Sequence, residues 1–187
     1  ASAHAVTEVQ WWHARGGVNG ERVDKIASDF NASQSQYKIV PVYKGNYTET
    51  MTAAIAAFRA KSHPHIVQVF EVGTATMMAA KGAVYPVEQV MNMAGEKLDK
   101  SDFLTAVISY YQNPHLEVLS MPFNSSTPVL WYNADALKKA GVGVPITWAE
   151  MKTASEKLIA SGMDCGFSFG WQSWVMVENY SAWHNLE

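Results

Sequence analysis

Residues 66–81 read IVQVFEVGTATMMAAK. The first seven form an apolar run broken only by Gln68 and Glu71, the composition of a parallel strand covered on both faces. From Gly73 onward, alanine and methionine dominate, as expected of a helix. A strand feeding directly into a helix is the repeating unit of a parallel α/β sheet. The flanking sequence continues the alternation. Upstream, residues 8–12 read as a first strand, and Gly16, Gly17 and Gly20 as a turn. Val23, Ile26, Ala27 and Phe30 then follow at the i, i+3, i+4, i+7 spacing of one helical stripe. Residues 37–44 alternate and are β-branched, which predicts a strand, and Pro41 places it at an edge or a bulge. Thr48 is positioned to cap the next helix, with Met51, Ile55 and Phe58 on one face. Downstream, Ser101 is positioned to cap a helix carrying Phe103, Val107 and Tyr111. Residues 117–133 hold two extended pieces around a polar hinge, Asn124-Ser125-Ser126-Thr127-Pro128. Thr147 with Glu150 is a capping box. Its helix carries Met151, Ala154 and Leu158 and ends at Gly162. Residues 166–183 are rich in aromatic side chains.

The 187 residues are 48% hydrophobic and 17% charged, enough for a core and too little charge for disorder. The net charge of -3 excludes a broad basic field for nucleic acid. No run approaches the roughly 20 apolar residues of a membrane span. Cys165 is the lone cysteine, so no intrachain disulfide forms. The opening ASAHAVTE reads as the tail of a signal-peptide cleavage region or a cloning remnant. The abrupt ending after an aromatic-rich stretch reads as a truncation.

The string PFNSSTPVLWYNADALKKAG at residues 122–141 resembles the signature of family 1 bacterial extracellular solute-binding proteins. The matching positions are Pro122, Phe123 and Asn124, then Val129, Leu130, Trp131, Tyr132, Asn133, Leu137 and Lys139. Trp131 departs from the pattern, which prefers an aliphatic residue, Phe or Tyr. Further strings, YKIVPVYKGNY, AAIAAFRA, QVFEVGTATMMA, ASGMDCGF, GWQSW and ENYSAW, are similar to the branch of that family that binds sn-glycerol-3-phosphate. The resemblance implies an α/β fold of the two-lobed, type II periplasmic-binding-protein kind, closing on its ligand by a hinge. Residues 1–123 would form most of the first lobe, 124–128 the hinge crossing, and 129–187 the incomplete start of the second. It also implies capture of sn-glycerol-3-phosphate, with glycerophosphodiesters as possible further ligands, and delivery to the membrane permease subunits of an ATP-binding-cassette (ABC) importer in the periplasm. It implies no cofactor, no metal and no catalysis.

Such a ligand has a dianionic head and two hydroxyls, and open α/β sheets place such sites at strand carboxyl ends beside helix N-termini. Tyr47, just before a helix, reads either as a half-buried turn tyrosine or as a phosphate donor; the resemblance implies the latter. Glu71 reads as the end of a buried strand, either capping the helix that follows or touching ligand. A carboxylate repels phosphate, so as a ligand residue it would accept from the glycerol hydroxyls. Ser125 and Ser126 read as turn residues before proline; the resemblance points to Ser126 as a ligand residue with Ser125 beside it. Trp171 matches a tryptophan that would cover the glycerol backbone. Trp12 and His13 match a pair expected to pack at the cleft edge. No Arg or Lys in these segments stands out as a phosphate partner. Lys44 and Arg59 read as solvated, and the family's arginine is expected from residues beyond Glu187.

His63-Pro64-His65 fits no standard metal spacing. No phosphate loop, dinucleotide fingerprint or nucleophile elbow is present. Two other readings compete: a maltodextrin-like sugar binder of the same family, and a hydrolase of glycerophosphodiesters.

Overall fold

The computed structural model describes residues 5–80, 82–170 and 173–186, and the backbone alone at Glu71 and Val72. The chain divides into two compact units, Ala1–Phe123 and Asn124–Glu187.

In the first unit, strand β1 (Thr7–His13) lies at the centre of a three-stranded parallel sheet of order β2-β1-β3. Strand β2 (Tyr37–Tyr43) pairs with it over its whole length, Thr7 opposite Tyr37 and His13 opposite Tyr43. Helix α1 (Gly17–Ser33) connects the two. Its buried residues are Val23 and Ala27, each 2% exposed. Ile26 and Phe30, expected on the same stripe, lie on its shoulder and are half exposed. Pro41, lacking an N–H, stands opposite Trp11 in an outer strand. Asn31 of α1 covers part of that strand: its side chain accepts from Ile39 N–H at 2.7 Å and donates to Ile39 C=O at 2.9 Å.

Strand β3 is only Ile66–Val67, shorter than the apolar run suggested. The ladder continues through Gln68 N–H, which donates to Trp12 C=O at 2.9 Å. The Gln68 side chain then accepts from Ala14 N–H at 3.1 Å, taking over the bond that a longer strand would have made. Helix α3 (Glu71–Met78) therefore begins at Glu71, which opens a helix rather than closing a strand. Its first turn is fastened at Phe70 C=O, which accepts from Gly73 N–H and the Thr74 hydroxyl, both at 3.0 Å.

Helix α2 (Tyr47–Arg59) is capped by Asn46, not Thr48. Asn46 Oδ1 accepts from Glu49 N–H at 2.9 Å, and Glu49 Oε2 accepts from Asn46 N–H at 2.7 Å. Gly45 makes this possible: its φ is +89°, and a Cβ there would collide with the Glu49 carboxylate. The buried residues of α2 are Thr50 and Ala54, while Phe58 is 42% exposed.

Helix α4 (Val87–Met93) meets a hairpin-like turn at residues 111–119. Glu88 holds them together. It accepts from Val118 N–H at 2.8 Å and pairs with Lys100 at 3.0 Å. Those contacts lower the Glu88 pKa, the Val118 N–H first and Lys100 next. The expected helix after Ser101 is instead a 3₁₀ turn capped by Asp99, helix α5 (Thr105–Ile108) and a second 3₁₀ turn. Where two extended pieces were expected, the described structure has one isolated bridge, Gln112 with Val118.

In the second unit, α6 (Ala134–Lys139) is capped by Asn133, which accepts from Ala136 N–H at 2.9 Å. Helix α7 (Trp148–Ala160) is capped by Thr147. The Glu150 carboxylate reaches back past the cap to Ile146 N–H at 2.8 Å. Helix α8 (Ser173–Trp183) carries the aromatic stretch.

Candidate binding site on the carboxyl edge of the sheet

All three strands are parallel, so their carboxyl ends share one edge, and α1, α2 and α3 begin there. This edge collects unpaired helical N–H groups and suits an anion or a polyol.

Trp12 and His13 end β1 and are 8% and 3% exposed. Trp12 Nε1–H donates to Gln10 Oε1 at 3.2 Å, which fixes the indole. Lys44 Nζ lies 3.9 Å from the centroid of the Trp12 ring, a cation–π contact. This corrects the reading of Lys44 as a solvated face. His13 Nδ1 accepts from Arg15 N–H at 3.3 Å, which requires that nitrogen to be unprotonated. Burial lowers the His13 pKa, against the opposing pull of Asp24.

Tyr47 is the first residue of α2 and half-buried. Its ring stacks on Phe70 at 5.4 Å and 17°. The Arg15 guanidinium lies over it, 5.3 Å from the centroid. The loop bearing Arg15 is held by the two backbone bonds to Gln68 and His13 and packs tightly on α1. A Cβ at Gly20 would approach Arg15 C=O to 2.8 Å, which leaves room only for glycine.

The structure thus gathers Trp12, His13, Tyr47 and the backbone start of Glu71 on one edge. Ser125 and Ser126 belong to the second unit, exposed in the irregular stretch before α6. Trp171 lies outside the described residues, as does the side chain of Glu71. Arg15, Gln68 and Phe70, not singled out from the sequence, also lie on this edge. Arg15 carried one signal, its position immediately after a strand's carboxyl end, and Gln68 another, a polar residue inside an apolar run.

The fold matches that of solved solute-binding proteins. A cyclic alpha-maltosyl-1,6-maltose binding protein from Arthrobacter globiformis superposes with a TM-score of 0.61 at 23% identity, over 84% of this chain and 39% of that one. A periplasmic solute binding protein from Pectobacterium atrosepticum gives 0.69 at 15% identity, over 83% and 37%. The fold is therefore the α/β type II periplasmic-binding-protein fold, here in part. Residues 25–186 match the family described as bacterial extracellular solute-binding protein, and the chain belongs to that family. Among its relatives is the sn-glycerol-3-phosphate-binding periplasmic protein UgpB of Brucella abortus (strain 2308). It is 50% identical over 190 residues, covering 100% of this chain and 44% of that protein. The protein of the same name from Yersinia pestis bv. Antiqua (strain Antiqua) is 53% identical over 188 residues, covering 98% and 43%. The chain thus spans less than half the length of these curated relatives. Among the described residues, no helix is long and apolar enough to cross a membrane.

Proposed function

We propose that this chain is part of the solute-binding component of an ABC importer, one that captures sn-glycerol-3-phosphate in the periplasm and hands it to membrane permease subunits. The observation that carries the reading is identity of 47–53% across 98–100% of the chain to proteins named for that ligand. The sugar-binding structural neighbours, at 23% identity or below, support the fold alone. In this reading the Tyr47 hydroxyl donates to the phosphate from the first turn of α2. Glu71 accepts from the glycerol hydroxyls, and a ligand lacking them would leave that acceptor unpaired at a cost of about 1–3 kcal/mol. Ser126, with Ser125 beside it, contributes donors from a hinge at 124–128 between two lobes. Trp171 covers the glycerol backbone, and Trp12 walls the edge. The protein binds and releases its ligand unchanged.

Calorimetry of the full-length protein with sn-glycerol-3-phosphate tests this, with maltose as competitor. Saturable heat that maltose does not displace is expected. Absence of binding, or displacement by maltose, overturns the reading, and release of product from a chromogenic glycerophosphodiester would replace it with a hydrolase.

A further inference from the structure

The two loops at the carboxyl edge each carry one cation, and each cation lies on an aromatic face. Arg15 follows β1 and covers Tyr47; Lys44 follows β2 and covers Trp12. The loops are joined by a backbone bond, Lys44 N–H to His13 C=O at 3.0 Å. Among the described residues, Lys25, Lys38, Lys100 and Lys152 each sit within 4 Å of a carboxylate, while Arg22, Arg59, Lys61 and most of the other cations form no ion pair. Among the described residues, Arg15 and Lys44 form no such ion pair. The nearby Glu49 is committed to the Asn46 cap. Arg15 and Lys44 thus stand on neighbouring loops, neither in an ion pair among the described residues, on a chain whose net charge is -3. Their rings hold them in place without neutralising them, because a cation–π contact leaves the full charge available to a ligand.

The backbone that carries Arg15 is also held in place. Its N–H is bound by His13, its neighbour Ala14 by Gln68, and Gly20 lets its carbonyl pack on α1.

We propose that Arg15, supported by Lys44, is a specificity-determining residue for the anionic head of the ligand. Resting on the function proposed above, it assigns the selection of a phosphate ester over a neutral polyol partly to this edge. The arginine expected from residues beyond Glu187 is then not the sole charged donor. The guanidinium lies 5.3 Å from the centroid of the Tyr47 ring, so a phosphate accepting from the Tyr47 hydroxyl lies within its field. Over a separation of this order at the protein surface, one charge changes affinity by about three- to tenfold.

The test uses the full-length protein and the variants Arg15→Met, Arg15→Lys and Lys44→Met. Methionine keeps a flexible chain over the ring and removes the charge. Affinity for sn-glycerol-3-phosphate and for glycerol is measured from low to near-molar salt, alongside thermal melting. Arg15→Met is expected to weaken sn-glycerol-3-phosphate binding about three- to tenfold, flatten its salt dependence and leave glycerol binding unchanged. Arg15→Lys is expected to recover most of the loss. Unchanged affinity and salt dependence in Arg15→Met would overturn the proposal, and so would equal losses in Arg15→Met and Arg15→Lys. In the latter case Arg15 acts on Tyr47 through shape alone. If the unsubstituted protein binds no sn-glycerol-3-phosphate, the function proposed above fails first, and this inference with it.

Discussion

The cap of α2 offers a perturbation in which stability and affinity move in opposite directions. Asn46 closes two orphan backbone donors, its own through Glu49 and that of Glu49 through Oδ1. It also sits immediately before Tyr47. Asn46→Ala removes the acceptor, at a cost of about 1 kcal/mol for an N-cap. The first unit spans Ala1–Phe123. At about 2.1 cal/mol/K of unfolding entropy per residue, 1 kcal/mol lowers its melting temperature by about 4 °C. Asn46→Asp keeps an acceptor at the same point and adds a negative charge, which a helix N-terminus favours by about 0.3–1 kcal/mol. Its melting temperature should hold or rise by about 1–4 °C. That same charge lies beside the proposed phosphate donor, so Asn46→Asp should weaken sn-glycerol-3-phosphate binding, by about three- to tenfold, more than Asn46→Ala does. Differential scanning calorimetry with and without ligand reads both quantities in one experiment. Equal destabilisation by Ala and Asp would refute the cap, and tighter ligand binding by Asn46→Asp would refute the placement of an anion at this helix start.

Three further outcomes follow from single side chains of the first unit. Because burial lowers the His13 pKa, the folded chain binds fewer protons than the unfolded one as pH drops below the ordinary histidine range. Stability should therefore fall with pH from that range down to the folded-state pKa, and His13→Asn should flatten the slope; urea midpoints across this window that track the parent would exclude His13 as the cause. Thr50 is 0% exposed and its hydroxyl has no partner among the described residues. Thr50→Val should raise stability by about 1 kcal/mol at unchanged m-value, whereas a loss would mean the hydroxyl is bonded. The lowered Glu88 pKa makes its contribution fully present above the ordinary glutamate range and lost as pH falls through its folded value. Glu88→Gln should thus melt lower than the parent at neutral pH and match it in acid, and a gap that persists in acid would point to packing instead.

The parallel α/β pattern was legible because it rests on local periodicity: alternation at 37–44, the helical stripe after Gly20, the apolar run at 66. What periodicity misses is competition for backbone bonds. β3 stops early because the Gln68 side chain takes the N–H of Ala14, a partner 54 residues away. Likewise the start of α2 was assigned to Thr48 because hydroxyls are good caps. Asn46 wins because Gly45 turns the chain with φ +89° and Glu49 stands three residues beyond the cap. Of the candidate site, Tyr47 and Trp12 were singled out through resemblance, and their setting on one sheet edge comes from the fold. Arg15 was passed over because its contact is with the Tyr47 ring, and a sequence does not show which ring lies beneath a guanidinium.

On the function proposed above, the same edge would let a weakly acidic protein hold an anion without a broad basic surface. A charge that must bind and release cannot be locked into a carboxylate pair, and a bare one on a flexible stem loses entropy when it is ordered. Setting the cation on an aromatic ring meets both demands: the ring orders the side chain beforehand and leaves its charge unspent. Lys44 on Trp12 and Arg15 on Tyr47 share this solution, on adjoining loops that hydrogen bonds tie to the sheet. Methionine at both positions should then cost more affinity at low salt than near-molar salt, while the melting temperature stays within about 2 °C of the parent. A double variant whose affinity deficit is the same at every ionic strength would show that the rings position these side chains for packing and not for charge.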